Sequence, residues 1–263
     1  MILAIDIGNT NIVIGCLDDK GVCFAERVST DISKTELEYV VEFKALLDLH
    51  NIDKNTIDGG IISSVVPPLN HAITTALKKF FHIEPMLVGP GVKTGLNIQM
   101  DNPASVGADL IVNAVAGLRD YGAPLIMIDM GTATTVSVLD DKNNYIGGMI
   151  LPGVRVSLDS LVNRTSQLPR IALEAPARII GRNTIDCMKS GIIVGQAAEM
   201  DGLIDRIWEE LGYETKVVAT GGLAESIIPV CKHDIIVDNE MTLMGLKYIY
   251  EKNIETRSRS SCG

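Results

Sequence analysis

Two stretches of the chain share one order of apolar and polar positions. In each, an apolar run ends in an aspartate, followed by an apolar residue, a glycine and several small hydrogen-bonding residues. The copies occupy residues 2–11 and 125–135. Four or five consecutive apolar residues before a turn signal are typical of a strand buried on both faces. The pattern therefore predicts two buried strands, each leading into a tight hairpin.

The small residues of both hairpins predict phosphate binding. A glycine tolerates a positive φ and lets backbone N–H groups approach a ligand without an intervening Cβ. Asp6 and Asp129 can hold a cation or its water shell. Neutral donors for phosphate oxygens are present as Asn9, Thr10, Asn11, Thr132, Thr134 and Thr135. One such stretch alone is also typical of an ordinary turn, so the prediction depends on the repetition at domain-sized spacing.

The periodicity around the two hairpins predicts the same order of elements twice. The first half is predicted to contain strands 1–6, 12–17, 22–28, 59–66 and 85–88 and helices 34–50, 70–81 and 102–121. The second is predicted to contain strands near 124–129, 134–139, 145–150, 216–220 and 235–237 and helices 153–164, 184–211 and 241–252. Each half thus follows the order β-β-β-α-β-α-β-α.

This duplication describes the fold of actin, the sugar kinases and the chaperone ATPases. The expected class is α/β, a duplicated ribonuclease-H-like (actin-like ATPase) fold with a cleft between the halves. The expected domains are residues 1–121 and 122–253, two actin-like domains. Residues 254–263 lack apolar periodicity and are predicted to be a disordered or foreign tail.

Four local features carry further predictions. Helix 34–50 is expected to bury Leu37, Val40, Val41, Leu46, Leu47 and His50. Residues 167–183 are too long for a plain connector and are a candidate lid or substrate segment. Thr184 is predicted to cap the helix that follows. Gly221 and Gly222 suit either close approach of backbone amides to an adenine or ribose, or a tight turn.

Composition and charge narrow the functional classes. Hydrophobic residues make up 46% of the chain, yet no apolar run reaches the roughly 18 residues of a membrane span, and no export signal is visible. A soluble, cytoplasmic protein is expected. The net charge of -10 argues against nucleic-acid binding. Five cysteines and four histidines show no metal-ligand spacing, and the thiols are expected to be reduced and mostly buried.

A third motif contains a candidate proton acceptor. The stretch 101–109 places Asp109 just inside the start of a predicted helix, beside Gly107. Phosphoryl transfer to an alcohol needs little covalent chemistry from the protein beyond a carboxylate that can accept the hydroxyl proton. An acid at this position also interacts favourably with the helix dipole, worth some tenths of a kcal/mol, and both interpretations stay open.

Together these motifs resemble those of the type III pantothenate kinases. The resemblance rests on Asp-x-Gly-Asn-Thr-Asn at 6–11, Asp-Asn-Pro and Val-Gly-Ala-Asp within 101–109, and Asp-x-Gly-Thr-Ala-Thr-Thr at 129–135. Gly-Gly-x-Ile-x-Pro-Gly at 147–153, Gly-x-Asn-Thr at 181–184 and Thr-Gly-Gly at 220–222 also fit. The similarity extends over residues 1–253.

The resemblance implies transfer of the ATP γ-phosphoryl group to pantothenate, giving 4'-phosphopantothenate, the first step of coenzyme A synthesis. It implies a homodimer, ATP, Mg²⁺ and a monovalent cation, K⁺ or NH₄⁺. Asp109 becomes the proton acceptor, Asp6 lies toward Mg²⁺, Asp129 binds the monovalent cation and Thr132 contacts phosphate. The nucleotide hairpin would comprise Asp6, Ile7, Gly8, Asn9, Thr10, Asn11, Ile12 and Val13. The pantothenate pocket would comprise Met100, Gly107, Ala108, Asp109, Leu110 and, from the neighbouring subunit, Thr184.

The chain departs from the family pattern at three positions. Leu110 replaces an arginine, Met100 stands where tyrosine is common, and Ser137 replaces an aspartate. An arginine can bind a carboxylate through two hydrogen bonds, and losing one charged hydrogen bond costs on the order of 1.5–3 kcal/mol. Two alternatives therefore remain beside the pantothenate kinase, namely a kinase of another small hydroxy compound and a catalytically weak nucleotide-binding regulator.

Overall fold

The computed structural model describes the backbone of residues 1–260 and the side chains of residues 1–256. The strands are β1 Ile2–Ile7, β2 Asn11–Asp18, β3 Gly21–Ser29, β4 Gly59–Ser64, β5 Met86–Leu87, β6 Asn97–Ile98, β7 Leu125–Met130, β8 Ala133–Leu139, β9 Asn144–Pro152, β10 Lys216–Thr220 and β11 Ile236–Val237. The α-helices are α1 Glu36–Leu49, α2 Pro67–Phe81, α3 Ala108–Asp120, α4 Val154–Asn163, α5 Thr184–Lys189, α6 Gly195–Leu211, α7 Ala224–Ile227 and α8 Met241–Ser260. The predicted order of elements is confirmed in both halves.

The chain forms two compact units. The first contains Met1–Leu96, Asn102–Ala116 and Glu240–Gly263, and the second contains Asn97–Asp101 and Gly117–Asn239. These units differ from the predicted domains, 1–121 and 122–253, chiefly because α8 packs on strands of the first unit. The helix belongs to the first unit because it packs on that unit's sheet, although it follows the second unit in the chain.

The sheets of the two units have equivalent strand orders. In the first unit the order is β3-β2-β1-β4-β5, with the first three strands antiparallel and the remaining pairs parallel. The second has the corresponding order β9-β8-β7-β10-β11, with β6 added in parallel beyond β9. In both units the aspartate of the repeated motif is thus the last residue but one of a strand that lies between an antiparallel and a parallel neighbour.

Helices cover both faces of the first sheet. Alternate residues of β1 point to opposite faces, and Leu3 and Ile5 pack with α1 and α2 while Ala4 packs with α3 and α8. The α3–α8 crossing is close, because a Cβ on Gly245 would lie 2.2 Å from the Val112 carbonyl oxygen. Covered on both faces, β1 needs the continuous apolar run seen in its sequence.

In the second unit the main core lies on one face of the sheet. Ile126, Ile128 and Met130 of β7 pack with helices α4 to α7. Between α5 and α6 the helix widens into a π-helical turn at Ser190–Val194, which the sequence did not predict. The connecting stretch 167–183 has no regular secondary structure, as expected.

The predicted buried face of α1 is wrong at two positions. Leu37 and Val41 are 62% and 60% exposed, whereas Tyr39, Phe43 and Leu47 are buried. The buried residues are spaced by four, so they form a single stripe along the helix. Aromatic side chains at two of these positions outcompete the smaller aliphatic residues for the core, because they bury more apolar surface.

Two other expectations need correction. Helix α8 continues to Ser260, so residues 254–260 are not a disordered tail, while residues 261–263 lie outside the described residues. The cysteines are not mostly buried, since Cys16 is buried but Cys23 and Cys187 are exposed. Cys262 lies outside the described part of the chain. Among the described residues, no helix is both long and apolar enough to cross a membrane.

Candidate functional site

The first hairpin connects β1 to β2 in the first unit. The Gly8 backbone N–H donates to the carbonyl oxygen of Asn11 at 3.0 Å. Thr30, which follows β3, secures the turn because its hydroxyl donates to the Gly8 carbonyl at 2.6 Å and its N–H to the Thr10 carbonyl at 3.0 Å. The tip of the turn is exposed. Its backbone is therefore accessible to a ligand, next to the partly buried Asp6.

The second hairpin, between β7 and β8, is one residue shorter than the first, because its last strand pair is Met130–Thr134 rather than Ile7–Ile12. The Gly131 N–H donates to the Ala133 carbonyl at 3.1 Å, and the tip is again exposed. Here the supporting residues are glycines. A Cβ on Gly153 would lie 2.2 Å from the Thr132 carbonyl oxygen, and one on Gly221 would lie 2.7 Å from an Asp129 carboxylate oxygen.

The two hairpin glycines do not need a positive φ. The glycines with positive φ include Gly221 but neither Gly8 nor Gly131. Space is the constraint at Gly8, where a Cβ would lie 3.0 Å from the Asn11 carbonyl oxygen. The tolerance of glycine for a positive φ is therefore not used at these two turns, although a bare backbone still permits close approach of a ligand.

Asp109 lies in the first turn of α3, as predicted. The Leu110 backbone N–H donates to its carboxylate at 2.9 Å. Burial raises the pKa of the Asp109 carboxyl above its ordinary value, and this effect outweighs the hydrogen bond, which lowers the pKa. The carboxylate occupies space that a side chain at 107 would fill, because a Cβ on Gly107 would lie 2.4 Å from Asp109 Oδ1.

Two of the three unusual positions lie in the second unit. Met100 follows β6, and its sulfur would lie 3.5 Å from a Cβ on Gly147. Ser137 of β8 is buried, with its hydroxyl 3.1 Å from that of Tyr145. Ser137 therefore contributes to a buried polar contact between neighbouring strands.

Thr184 lines an apolar cavity of the second unit. The cavity has a volume of about 360 Å³ and is lined by Leu161, Leu168, Thr184, Cys187, Met188, Gly191 and Ile192. Thr184 is not the helix cap, because the Asn183 side chain accepts the Asp186 N–H at 2.9 Å. The extended backbone of Asn183 suits the cap position, whereas Thr184 already begins the helix.

The candidate lid is connected to α5 and to the turn that follows. Glu174 pairs with Lys189 at 2.8 Å, and the Ser190 hydroxyl donates to the Ile179 carbonyl oxygen. A Cβ on Gly181 would lie 2.4 Å from the Cys187 backbone nitrogen. Residues 167–183 thus pack closely at their C-terminal end, and their role as a lid stays a prediction.

Each aspartate has a hydroxyl residue beside it on the next strand. Sequence reasoning missed Ser63, and it named Thr220 only within the Thr-Gly-Gly motif, without relating it to Asp129. In the parallel pair β1–β4, Asp6 lies opposite Ser63, and in the parallel pair β7–β10, Asp129 lies opposite Thr220. Ser63 and Thr220 are both buried. The repeated hydroxyl residue could have been found from the sequence only by aligning β4 with β10, the fourth strands of the two halves.

The hairpin residues fit a hydrated divalent cation bound with a nucleotide. No group of three or more His, Cys, Asp or Glu side chains suited to a metal occurs in the part of the chain that is described. Mg²⁺ at a nucleotide site usually keeps several waters and takes one or two carboxylates plus substrate phosphates. Asp6, near the end of β1 and beside an exposed turn, is one carboxylate of the kind that such a site uses.

Comparisons with known proteins agree with these motifs. A sequence model of the type III pantothenate kinase family matches residues 2–206. The type III pantothenate kinase of Halalkalibacterium halodurans is 46% identical over 254 residues, covering 97% of this chain and 100% of the relative. That of an Exiguobacterium species is 47% identical over 253 residues, covering 96% and 99%.

Solved structures confirm the fold class. Component A of the Acidaminococcus fermentans (R)-2-hydroxyglutaryl-CoA dehydratase aligns with a TM-score of 0.56 at 14% identity, covering 95% of this chain and 96% of the other. A conserved Campylobacter jejuni protein aligns with a TM-score of 0.57 at 18% identity, covering 96% and 99%. The duplicated actin-like fold is thus shared widely at low identity, whereas the sequence matches are specific. The chain belongs to the type III pantothenate kinase family.

Proposed function

We propose that this protein is a pantothenate kinase that transfers the γ-phosphoryl group of ATP to the primary hydroxyl of pantothenate. The product is 4'-phosphopantothenate, and its formation is the first step of coenzyme A synthesis. The observation that carries the proposal is the half-buried carboxylate of Asp109 in the first turn of α3, within a chain that matches this kinase family. The cytoplasmic location stays a prediction.

The hairpin after β1 is proposed to bind the nucleotide phosphates. Its exposed tip supports this role. Thr30 donates hydrogen bonds to the Gly8 and Thr10 carbonyls, and residues 9–11 stay exposed. Asp6 would take the divalent cation, which neutralises charge on the transferring phosphoryl group. In the second unit, Thr132 lies at the exposed tip of its own hairpin and would contact phosphate.

Asp109 is proposed to accept the hydroxyl proton of pantothenate. A carboxyl whose pKa is raised by burial is a stronger base than an ordinary aspartate, because a higher pKa favours taking up a proton. Gly107 supports this role by leaving space for the carboxylate. The Leu110 N–H donates to one carboxylate oxygen, Oδ1, and the other oxygen is proposed to face the alcohol.

Asp129 is proposed as the ligand of a monovalent cation, K⁺ or NH₄⁺. Gly221 would contact its carboxylate if it carried a side chain, so the absence of one keeps space beside an Asp129 oxygen. Such a cation would supply positive charge near the phosphates in a protein whose net charge is -10. Comparing the reaction rate in K⁺ with the rate in Na⁺ tests this assignment directly.

The pantothenate pocket is proposed to include Met100, Ala108 and Leu110. Met100 and Leu110 make it more apolar than the family pattern with tyrosine and arginine, so a weaker hold on the pantothenate carboxylate is expected. Thr184 is proposed to reach the pocket of a second subunit in a homodimer. The apolar cavity beside Thr184 and the exposed Ile179, Ile180 and Ile185 nearby in sequence support a subunit contact there.

Leu110 also favours a second candidate, a kinase of another small hydroxy compound. An apolar side chain beside Asp109 has no donor for an acceptor carboxylate. An alcohol lacking a carboxylate would therefore bind there without leaving a charge unpaired. The phosphate-binding hairpins and Asp109 would serve this reaction equally well.

One coupled assay separates these possibilities. ADP release is measured with pantothenate present or absent, and with K⁺ or Na⁺ at constant Mg²⁺. Pantothenate-dependent, K⁺-dependent release at an ordinary enzymatic rate is expected. ATP turnover with another alcohol and none with pantothenate would establish the second candidate. No turnover with any alcohol would indicate the catalytically weak regulator that the sequence left open.

A further inference from the structure

Ser63, near the end of β4, carries a buried hydroxyl whose role the proposed reaction leaves unexplained. The residue is 0% exposed, and its Oγ has no hydrogen-bond partner among the described residues. A buried hydroxyl without a partner reduces stability, because it has lost its hydrogen bonds to water. Such groups in native structures call for a specific explanation, and a functional site is a common one.

The position of Ser63 relates it to Asp6. The two residues are opposite each other in the parallel pair β1–β4, and neighbouring strands lie about 4.7–4.9 Å apart. Ala4 and Ile61, two residues earlier in each strand, both pack with α3 and α8. Because side chains two residues apart share a face, Asp6 and Ser63 point to this same face of the sheet.

The second unit repeats the arrangement. Thr220 of β10 is opposite Asp129 of β7, again in a parallel pair, and it is 4% exposed. Both Asp-x-Gly hairpins therefore have a buried hydroxyl residue on the strand beside the aspartate. A hydroxyl retained for strand packing alone would not be expected at the equivalent position of two otherwise different strands, Gly59–Ser64 and Lys216–Thr220.

We propose that Ser63 is a positioning residue whose hydroxyl donates a hydrogen bond to the Asp6 carboxylate when Asp6 binds the divalent cation that accompanies the nucleotide. A carboxylate that gives one oxygen to a cation can accept a hydrogen bond at the other, which orients it. The serine hydroxyl turns about a single torsion, χ1, on the strand directly beside Asp6. This inference rests on the proposed function, because it requires Mg²⁺-nucleotide binding at the first hairpin.

The proposal separates two contributions to the affinity for the nucleotide. Binding of ADP through the hairpin backbone does not involve Ser63, whereas the additional affinity conferred by Mg²⁺ depends on a correctly oriented Asp6. Partners that orient metal ligands typically contribute about ten- to a hundredfold to metal affinity. Loss of the Ser63 hydroxyl should therefore reduce the Mg²⁺-dependent part of the affinity and leave the Mg²⁺-independent part unchanged.

The test is equilibrium titration of the full chain with ADP, once in saturating Mg²⁺ and once in EDTA. Ser63→Ala removes the hydroxyl, and Ser63→Cys removes it while keeping the volume with a thiol, which is a weak donor. Both variants should bind Mg²⁺-ADP about ten- to a hundredfold more weakly and bind ADP in EDTA like the wild type. The Tm of Ser63→Ala without ligand should equal or exceed that of the wild type, because an unpartnered hydroxyl has been removed.

Tyr39→Phe is the matched control. The Tyr39 hydroxyl is also buried without a hydrogen-bond partner among the described residues, but its ring packs on the opposite face of the same sheet. Tyr39→Phe should therefore leave the affinity for Mg²⁺-ADP unchanged. In steady-state assays, Ser63→Ala should raise the concentration of Mg²⁺ needed for half-maximal rate, while kcat at saturating Mg²⁺ stays near the wild-type value.

Mg²⁺-ADP affinity of both Ser63 variants within twofold of the wild type would overturn the inference and leave the kinase proposal intact. An equal loss in Mg²⁺ and in EDTA would also overturn it, since the serine would then act on hairpin structure. A wild-type protein whose affinity for ADP does not depend on Mg²⁺ would instead contradict the proposed function, so the two failures are distinguishable.

Discussion

The two Asp-x-Gly hairpins follow equivalent strands but differ in length and in surroundings. Residues 8–11 connect the last strand pair of the first hairpin, and residues 131–133 connect that of the second. In the first, a side chain and a backbone group of Thr30 hold the turn through hydrogen bonds. In the second, Gly153 and Gly221 approach so closely that neither could carry a side chain without displacing its neighbours. Turns at equivalent places in the two sheets can thus be stabilised by hydrogen bonds from a neighbouring residue or enclosed by residues that lack side chains.

This difference separates the proposed roles of the two aspartates. Asp6 lies in a unit that also contains Asp109 and the hydroxyl of Ser63. Asp129 instead lies against the bare backbone of Gly221. The first unit therefore contains the residues proposed for the divalent cation and proton acceptance, and the second contains the ligand proposed for a monovalent cation. Substitutions of Asp109, Asp6 and Asp129 test this division, and substitutions of glycines test the packing around the two turns.

The largest effect is expected for Asp109→Asn in the first unit. Turnover should fall by about 10²–10⁴ because the amide cannot accept the alcohol proton, while ADP affinity stays unchanged. Retained turnover would remove Asp109 from the mechanism.

The same variant has a stability signature with a defined sign. Burial raises the Asp109 pKa in the folded protein, so the stability that this group contributes falls as pH increases through the interval between its ordinary and raised pKa. At neutral pH the charged form is disfavoured by folding, and Asp109→Asn should therefore raise Tm. This increase in Tm should disappear at a pH below the ordinary pKa of aspartate. Thermal denaturation of both proteins across pH measures it.

The next effect compares Asp6→Asn with Asp129→Asn. Asp6→Asn should weaken Mg²⁺-dependent ADP binding by more than about a hundredfold, since removing a ligand exceeds the effect of removing its orienting partner. Asp129→Asn should instead abolish the difference in rate between K⁺ and Na⁺. Each variant is the control for the other, and an identical response of both would show that the two hairpins are not divided by cation.

A smaller effect is expected for Gly221→Ala. Its φ of +95° and the 2.7 Å approach to Asp129 Oδ1 make any side chain unfavourable, so a loss of about 1–3 kcal/mol in the free energy of unfolding is expected. Chemical denaturation measures this loss. Gly195→Ala is a suitable control, because a Cβ there meets nothing within 4 Å and its backbone is helical. Equal stability of the two variants would contradict the close packing at Gly221.

The smallest effect compares the equivalent glycines of the two turns. A Cβ on Gly8 would lie 3.0 Å from a backbone oxygen, whereas one on Gly131 would have its nearest contact at 3.5 Å. Gly8→Ala should cost about 1 kcal/mol, and Gly131→Ala less than about 0.5 kcal/mol. Denaturant titrations of both variants would reveal the difference, and a reversed order would contradict the described geometry of the turns.

The repeated strands, helices and hairpins could be predicted because their signals are local. The run 125–130 is apolar because β7 is buried, and Asp109 follows a helix-start signal. The face of α1 could not be predicted as reliably, since Leu37 and Tyr39 both suit a core and only packing against α2 selects between them. Asn183 and Thr184 are both plausible caps, and backbone geometry alone decided in favour of Asn183.

The sequence by itself determined the duplicated order of elements, the two aspartate hairpins and the position of Asp109 at a helix start. Only the tertiary structure decided that α8 packs on the sheet of the first unit, that Gly221 lies against Asp129, and that Ser63 is opposite Asp6. The physical reason is that hydrophobic periodicity and turn chemistry act between residues close in the chain. Strand register and helix docking instead depend on contacts between residues far apart in the chain, which no local pattern specifies.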